Sequence, residues 1–184
     1  MPDELTGFLK SGEAPIVFTL GSAAVLDPGD FFQESLDAAK ILGRRAVLLH
    51  GNENEPPQGV NTGIVAFPYA PYSLVFPKAA CVVHQGGVGT TGQVLRAGVP
   101  HLIMPFGHDQ PDNAARCRRF GVGEIVRRSS YNASTASAGL KKILGGPQYY
   151  EKAKEAAQIV GSEGGTAAAC DAIEAALSKP QAKS

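Results

Sequence analysis

Short apolar runs alternate along the chain with longer amphipathic stretches. Pro15–Leu20, Ala46–Leu49, Gly63–Phe67, Cys81–Val83, His101–Met104 and Glu124–Val126 are bounded by polar or glycine residues and read as buried strands. Between them, Asp30–Leu42 sets Phe32, Leu36 and Ala39 at helical spacing and stops at Gly43. Gly86–Gly92 opens a helix that ends near Arg96-Ala97-Gly98, and Asp109–Phe120 is a helix closed by Gly121. Further helices are predicted around Leu140–Leu144 and over Tyr149–Leu177, interrupted at Gly161–Gly165. Strand–helix alternation of this kind predicts the α/β class: a Rossmann-like parallel sheet of about six strands flanked by helices, with C-terminal helices. The expected organisation is one domain over residues 1–177 and a disordered tail over 178–184. In such a sheet the ligand lies at the carboxyl ends of the strands.

Composition agrees with a packed domain and narrows its partners. Of 184 residues, 43% are hydrophobic and 18% charged, enough for a core and too little charge for a disordered chain. Lys+Arg and Asp+Glu tie at 17, which argues against a basic nucleic-acid grip or a polybasic membrane surface. Cys81, Cys117 and Cys170 are widely spaced and odd in number, so neither a disulfide framework nor a zinc signature is expected. The N-terminus lacks the basic and apolar stretches of a signal peptide, and no apolar run approaches the roughly 20 residues of a membrane span. A cytoplasmic protein is expected. Asn132-Ala133-Ser134 forms a glycosylation sequon but, without secretion, is read as a helix cap. Glycine is the unusual entry: 22 residues, about 12% against a typical ~7%.

The glycines concentrate in His84-Gln85-Gly86-Gly87-Val88-Gly89-Thr90-Thr91-Gly92, after a strand and at the start of a helix. Glycine lets the backbone approach an anion, free N–H groups at a helix start point at it, and the dipole favours negative charge by ~0.3–1 kcal/mol. Thr90 and Thr91 can add hydroxyls and His84 an imidazole N–H. The competing reading is a tight strand–helix turn in which His84 is a satisfied core histidine. Gly87-Val-Gly89-Thr-Thr-Gly92 matches a dinucleotide fingerprint, with Asp109 downstream. That fingerprint, however, belongs on the first strand–helix unit with its acidic residue ending the next strand. A P-loop is excluded because no Gly-Lys-Ser/Thr is present.

His84-Gln-Gly-Gly-Val-Gly-Thr-Thr, Arg96-Ala-Gly-Val-Pro100 and Met104-Pro-Phe-Gly-His-Asp109-Gln110-Pro-Asp-Asn113, in that order, resemble the sugar-donor signature of glycosyltransferases related to UDP-glucuronosyltransferases. The bacterial antibiotic-type and the sterol-type glucosyltransferases are the nearest variants. The resemblance implies one half of a GT-B fold, binding a UDP- or dTDP-hexose and serving an inverting transfer to a small-molecule hydroxyl acceptor, with no cofactor and no metal. Residue by residue, it implies diphosphate contacts from Ser22, His84, Gly86, Gly87, Gly89 and Thr90. Tyr69 and Tyr72 stand where the family places its base-binding Trp-x-Pro-Gln. Asp109 and Gln110 match the pair that hydrogen-bonds sugar hydroxyls, with Asn113 a weaker candidate. As a residue alone, Asp109 is equally suited to cap its helix.

The chain also departs from the family pattern. Tyr72 replaces the usual glutamine, so base choice between uridine and thymidine is open. The acidic residue that many members place on the loop helix for ribose is missing, with Gln93 nearest. The family's general base is a histidine of the N-terminal acceptor domain, which this chain lacks, so no catalytic residue is assigned and the chain alone is expected to be inactive. His50, His101 and His108 do not replace that base. Arg116, Arg118, Arg119, Arg127 and Arg128 read as solvated surface or as a docking face for the missing domain. Two rivals remain: a non-catalytic regulatory or partner-binding module that kept the fold, and an NAD-dependent oxidoreductase.

Overall fold

The computed structural model describes residues 1–22 and 24–178. Among them six strands form one sheet: β1 (Ile16–Thr19), β2 (Ala46–Leu49), β3 (Ile64–Phe67), β4 (Cys81–His84), β5 (His101–Ile103) and β6 (Gly123–Ile125). Their order is β3-β2-β1-β4-β5-β6 and every pairing is parallel. This is the doubly wound order, in which the chain works outward from β1 in one direction and then from β4 in the other. The ends of β1 and β4 therefore diverge into loops on opposite faces and leave a crevice between them.

The helices are α1 (Asp3–Lys10), α2 (Phe31–Leu42), a single turn α3 (Tyr72–Val75), α4 (Val88–Ala97), α5 (Gln110–Phe120), α6 (Ala133–Leu144), α7 (Pro147–Ser162) and α8 (Gly165–Ser178). Side-chain alternation in β1 explains why both faces must be covered. Ile16 and Phe18 pack with Leu36 of α2 and with Leu140 and Ile143 of α6. Val17 faces the other way, packing with Val47, Val82, Leu5 of α1, Phe76 and Val94 of α4. Ile103 continues the core to Ala114 and Cys117 of α5 and Ala153 and Ala156 of α7. Strands buried on both faces lose the apolar–polar alternation of a half-exposed sheet, which is why they stand out as continuous apolar runs.

Boundaries differ from expectation in a few places. β6 spans Gly123–Ile125 rather than Glu124–Val126, with Gly123 paired to His101 at a point where a side chain would collide with the β5 backbone. α7 runs through Gly161 to Ser162, so the break falls at Glu163 and Gly164. α1 and α3 were not foreseen. Ser178 closes α8, and the remainder of the expected tail, 179–184, lies outside the described residues. No helix among the described residues is long and apolar enough to cross a membrane.

Candidate sugar-donor site

A cleft of about 740 Å³ opens at the crevice beyond β1 and β4. Its wall includes the Gly21-Ser22 turn after β1, Tyr69 and Tyr72 after β3, and Gly89, Thr90 and Gln93 of α4. Asn52, after β2, also faces it. Ser22, Tyr69, Tyr72, Gly89 and Thr90, expected around a nucleotide, thus share one cavity. Among the described residues no Asp, Glu, His, Lys or Arg lines it, so an anion there would be met by backbone dipoles and hydroxyls.

The first turn of α4 supplies those dipoles. Gly87 is its N-cap, and no side chain caps the helix. Thr91 N–H donates to Gly87 O at 2.9 Å, the first bond of the helix, which leaves the preceding amides of Val88, Gly89 and Thr90 without helical partners. Thr90 and Thr91 are buried, and Thr91 Oγ1 has no hydrogen-bond partner. Gly86 turns the chain from β4 toward α4 at φ +87°, in the left-handed region. A Cβ there would lie 2.9 Å from Ile103 Cγ2 and 3.2 Å from Gln110 O, so both conformation and space demand glycine.

His84 sits differently from the phosphate-contacting imidazole anticipated above. Its ring is fully buried, Nδ1 accepts from Gly86 N–H at 3.0 Å, and Nε2 lies 2.9 Å from His101 Nδ1. Because the Gly86 amide can only donate, His84 Nδ1 is unprotonated and Nε2–H donates to His101. His101 then carries its proton on Nε2, which is buried without a partner. Burial and the neighbouring His101 hold the His84 pKa well below the usual imidazole value, and burial pushes His101 down to about 4. Both rings are neutral at pH 7 and stacked at 5.2 Å. In this conformation the core arrangement applies: His84 braces the loop and presents no N–H to the cleft.

Asp109 and Gln110 lie outside the cleft lining, at the head of α5 and across Gly86. Asp109 occupies the N-cap position, but its side chain makes no cap bond. Instead Asp109 Oδ2 accepts from Asn113 Nδ2 at 2.7 Å, and the same Nδ2 donates to Gly86 O at 2.9 Å. Asn113, a minor candidate from sequence, therefore ties Asp109 to the glycine loop. Gln110 Oε1 accepts from the Phe106 and Gly107 amides at 2.8 and 3.3 Å and fixes the β5–α5 connection. His108 precedes the pair at φ 58°, a left-handed conformation that histidine adopts more readily than bulkier residues do.

The two tyrosines have unlike settings. Tyr69 is 67% exposed at the rim, with its ring available for stacking. Tyr72 stacks on Phe76 at 4.4 Å and its hydroxyl lies 2.8 Å from Thr19 Oγ1. Burial raises its pKa, partly offset by the Thr19 contact. One face of the Tyr72 ring is therefore taken by the protein. The five arginines are split between α5 and the loop after β6, where Arg128 pairs with Asp27 and covers the Phe106 ring. Among the described residues no three His, Cys, Asp or Glu side chains converge as a metal site would require.

A family model described as "Erythromycin biosynthesis protein CIII-like, C-terminal domain" matches residues 36–176. The chain is 36% identical over 173 residues to O-mycaminosyltylonolide 6-deoxyallosyltransferase of Streptomyces fradiae, covering 93% of this chain and 40% of that protein. It is 33% identical over 180 residues to sterol 3-beta-glucosyltransferase of Komagataella phaffii, covering 91% of this chain and 14% of that protein. The chain thus spans well under half the length of these relatives. Among solved structures, spinosyn rhamnosyltransferase SpnG complexed with thymidine diphosphate superposes with a TM-score of 0.75 at 20% identity, covering 89% of this chain and 46% of that one.

Proposed function

From the premise that the chain belongs to the erythromycin biosynthesis protein CIII-like C-terminal domain family of GT-B glycosyltransferases, we propose that it is the half of such an enzyme that holds the nucleotide sugar. The observation that carries the proposal is the uncapped start of α4, its glycine-rich approach and the Gly21-Ser22 turn meeting at the β1–β4 crevice. A diphosphate across that junction would receive amide hydrogen bonds from the first turn of α4 and hydroxyl bonds from Ser22 and Thr90. The base would extend toward Tyr69 and Tyr72, and the hexose toward Asp109 and Gln110. The solved neighbour complexed with thymidine diphosphate supports a thymidine donor, with a uridine donor as the alternative.

In the proposed reaction an acceptor hydroxyl oxygen attacks the anomeric carbon as the bond from that carbon to the diphosphate breaks, inverting the centre. Negative charge grows on the departing diphosphate, where the α4 amides stabilise it more than in the ground state. This supports a metal-independent reading. The acceptor's proton requires a base, and among the described residues no imidazole or carboxylate lines the cleft. We therefore assign the base and the acceptor pocket to a partner domain, which makes this chain alone inactive.

Isolated, the chain should bind dTDP or UDP with a Kd of roughly 10 μM to 1 mM, since few strong contacts offset the cost of association. Titration calorimetry with dTDP, UDP and GDP checks this, and a folded sample that binds none at millimolar concentration contradicts it. The inward His84 ring favours one rival, a partner-binding module without nucleotide. Under that reading His84→Ala would leave partner binding intact and there would be no nucleotide affinity to lose.

A further inference from the structure

Gln85 lies between the two arms of the proposed diphosphate site and takes no part in the contacts described so far. It is 5% exposed, and its Oε1 is buried with no hydrogen-bond partner among the described residues. Its carboxamide fills the place where two glycines have no side chain. A Cβ on Gly21 would collide with Gln85 Nε2, and a Cβ on Gly87 would lie 2.7 Å from the same atom. Neither glycine has a positive φ, and Gly87 sits at φ −61°, so backbone conformation does not require glycine at either position. What requires it is room for this one carboxamide.

A filler alone would not be polar. An unpaired amide oxygen in the interior costs about 1–3 kcal/mol, whereas an apolar side chain of similar length would fill the space without that cost. The polarity answers something that the described residues do not supply, at a point where the Gly21-Ser22 turn and the α4 N-terminus meet. Nε2 is the carboxamide atom set against both Gly21 and Gly87, so the donor end of the side chain is the end that lies between the two arms. We propose that Gln85 is a further sugar-donor-binding residue, whose carboxamide N–H groups bond the diphosphate between the Gly21-Ser22 turn and the first turn of α4. This rests on the nucleotide-sugar reading above and adds a side-chain contact to a site otherwise made of backbone and hydroxyls.

The test compares dTDP with thymidine, which lacks the diphosphate, by NMR titration of the full chain and of Gln85→Met and Gln85→Glu. Methionine keeps the length and removes the N–H groups; glutamate keeps the shape and places a carboxylate against the anion. Each variant is first checked for a native amide spectrum. Gln85→Met should weaken dTDP about 10-fold to about 100-fold, the range for a hydrogen bond to a charged group, and leave thymidine unchanged. Gln85→Glu should weaken dTDP at least as much. Wild-type dTDP affinity in Gln85→Met, or an equal loss of dTDP and thymidine, overturns the proposal and leaves Gln85 a spacer. Should Gln85→Met fail to fold, Gln85→Glu decides, and undiminished dTDP binding there overturns it. If the wild-type chain binds neither ligand, the nucleotide-sugar reading fails and this inference with it.

Discussion

Buried polar groups carry the site's geometry at the scale of single residues. His84 and His101 form a relay that starts at the Gly86 amide and ends at an unpaired Nε2, with both rings neutral. Their folded pKa values lie below the ordinary 6.5, so the unfolded chain binds more protons on acidification. The stability that depends on neutral rings is complete above pH 6.5 and is lost as pH falls toward 4. His101 alone accounts for at most about 3 kcal/mol over that window. Urea unfolding at pH 7 and pH 4.5 should show the midpoint falling in the wild type and falling less in His101→Gln. Sequence marked His84 and the glycines because they cluster between a strand and a helix, and Asp109 because it matches the sugar-binding pair of the family the motif resembles. The His84–His101 bond was not legible, since it joins residues of neighbouring strands whose pairing no local pattern reveals. Gln85 stood inside the motif, yet only the space left by Gly21 and Gly87 shows what it does.

Elements were the most legible level, and for a physical reason. Strands covered on both faces read as unbroken apolar runs, and helices that end on glycine announce their stops: Gly43, Gly98 and Gly121 all adopt the left-handed C-cap. α1 escaped notice because Gly7 interrupts its pattern and only Leu5 is buried. α3 is a single turn, too short for any period to show. The Asn132 sequon, read as a cap, begins α6 with a reciprocal pair: Thr135 N–H donates to Asn132 Oδ1 at 3.0 Å and Asn132 N–H to Thr135 Oγ1 at 3.1 Å. Asn132→Ala should therefore cost about 1 kcal/mol, read as a lower urea midpoint with an unchanged slope. A change within error would mean that packing of α6 on α2, rather than its cap, sets the stability of this element.

Across the whole molecule, strand order does what no single motif can. The glycine loop follows the fourth strand rather than the first, and the order β3-β2-β1-β4-β5-β6 sets that strand beside β1 at the switch point. Adjacency of β1 and β4 is what unites Ser22 with Thr90, residues far apart in sequence, in one cleft with Tyr69 and Tyr72. Asp109, beyond the carboxyl end of β5, is tied to the glycine loop through Asn113 and Gly86, while Gln110 fixes the β5–α5 connection. Among the described residues no Lys or Arg lines the cleft, so under the proposed function an anion there would be held by helix amides and hydroxyls. The place proposed for a nucleotide diphosphate is the β1–β4 crevice, on the start of α4. Amide NMR of the full chain titrated with dTDP tests it most directly. Shifts should concentrate at Gly21, Ser22, Gly86–Thr91 and Tyr69 and saturate together with one Kd. Shifts centred instead on the α7–α8 surface, or none at millimolar dTDP, would contradict it.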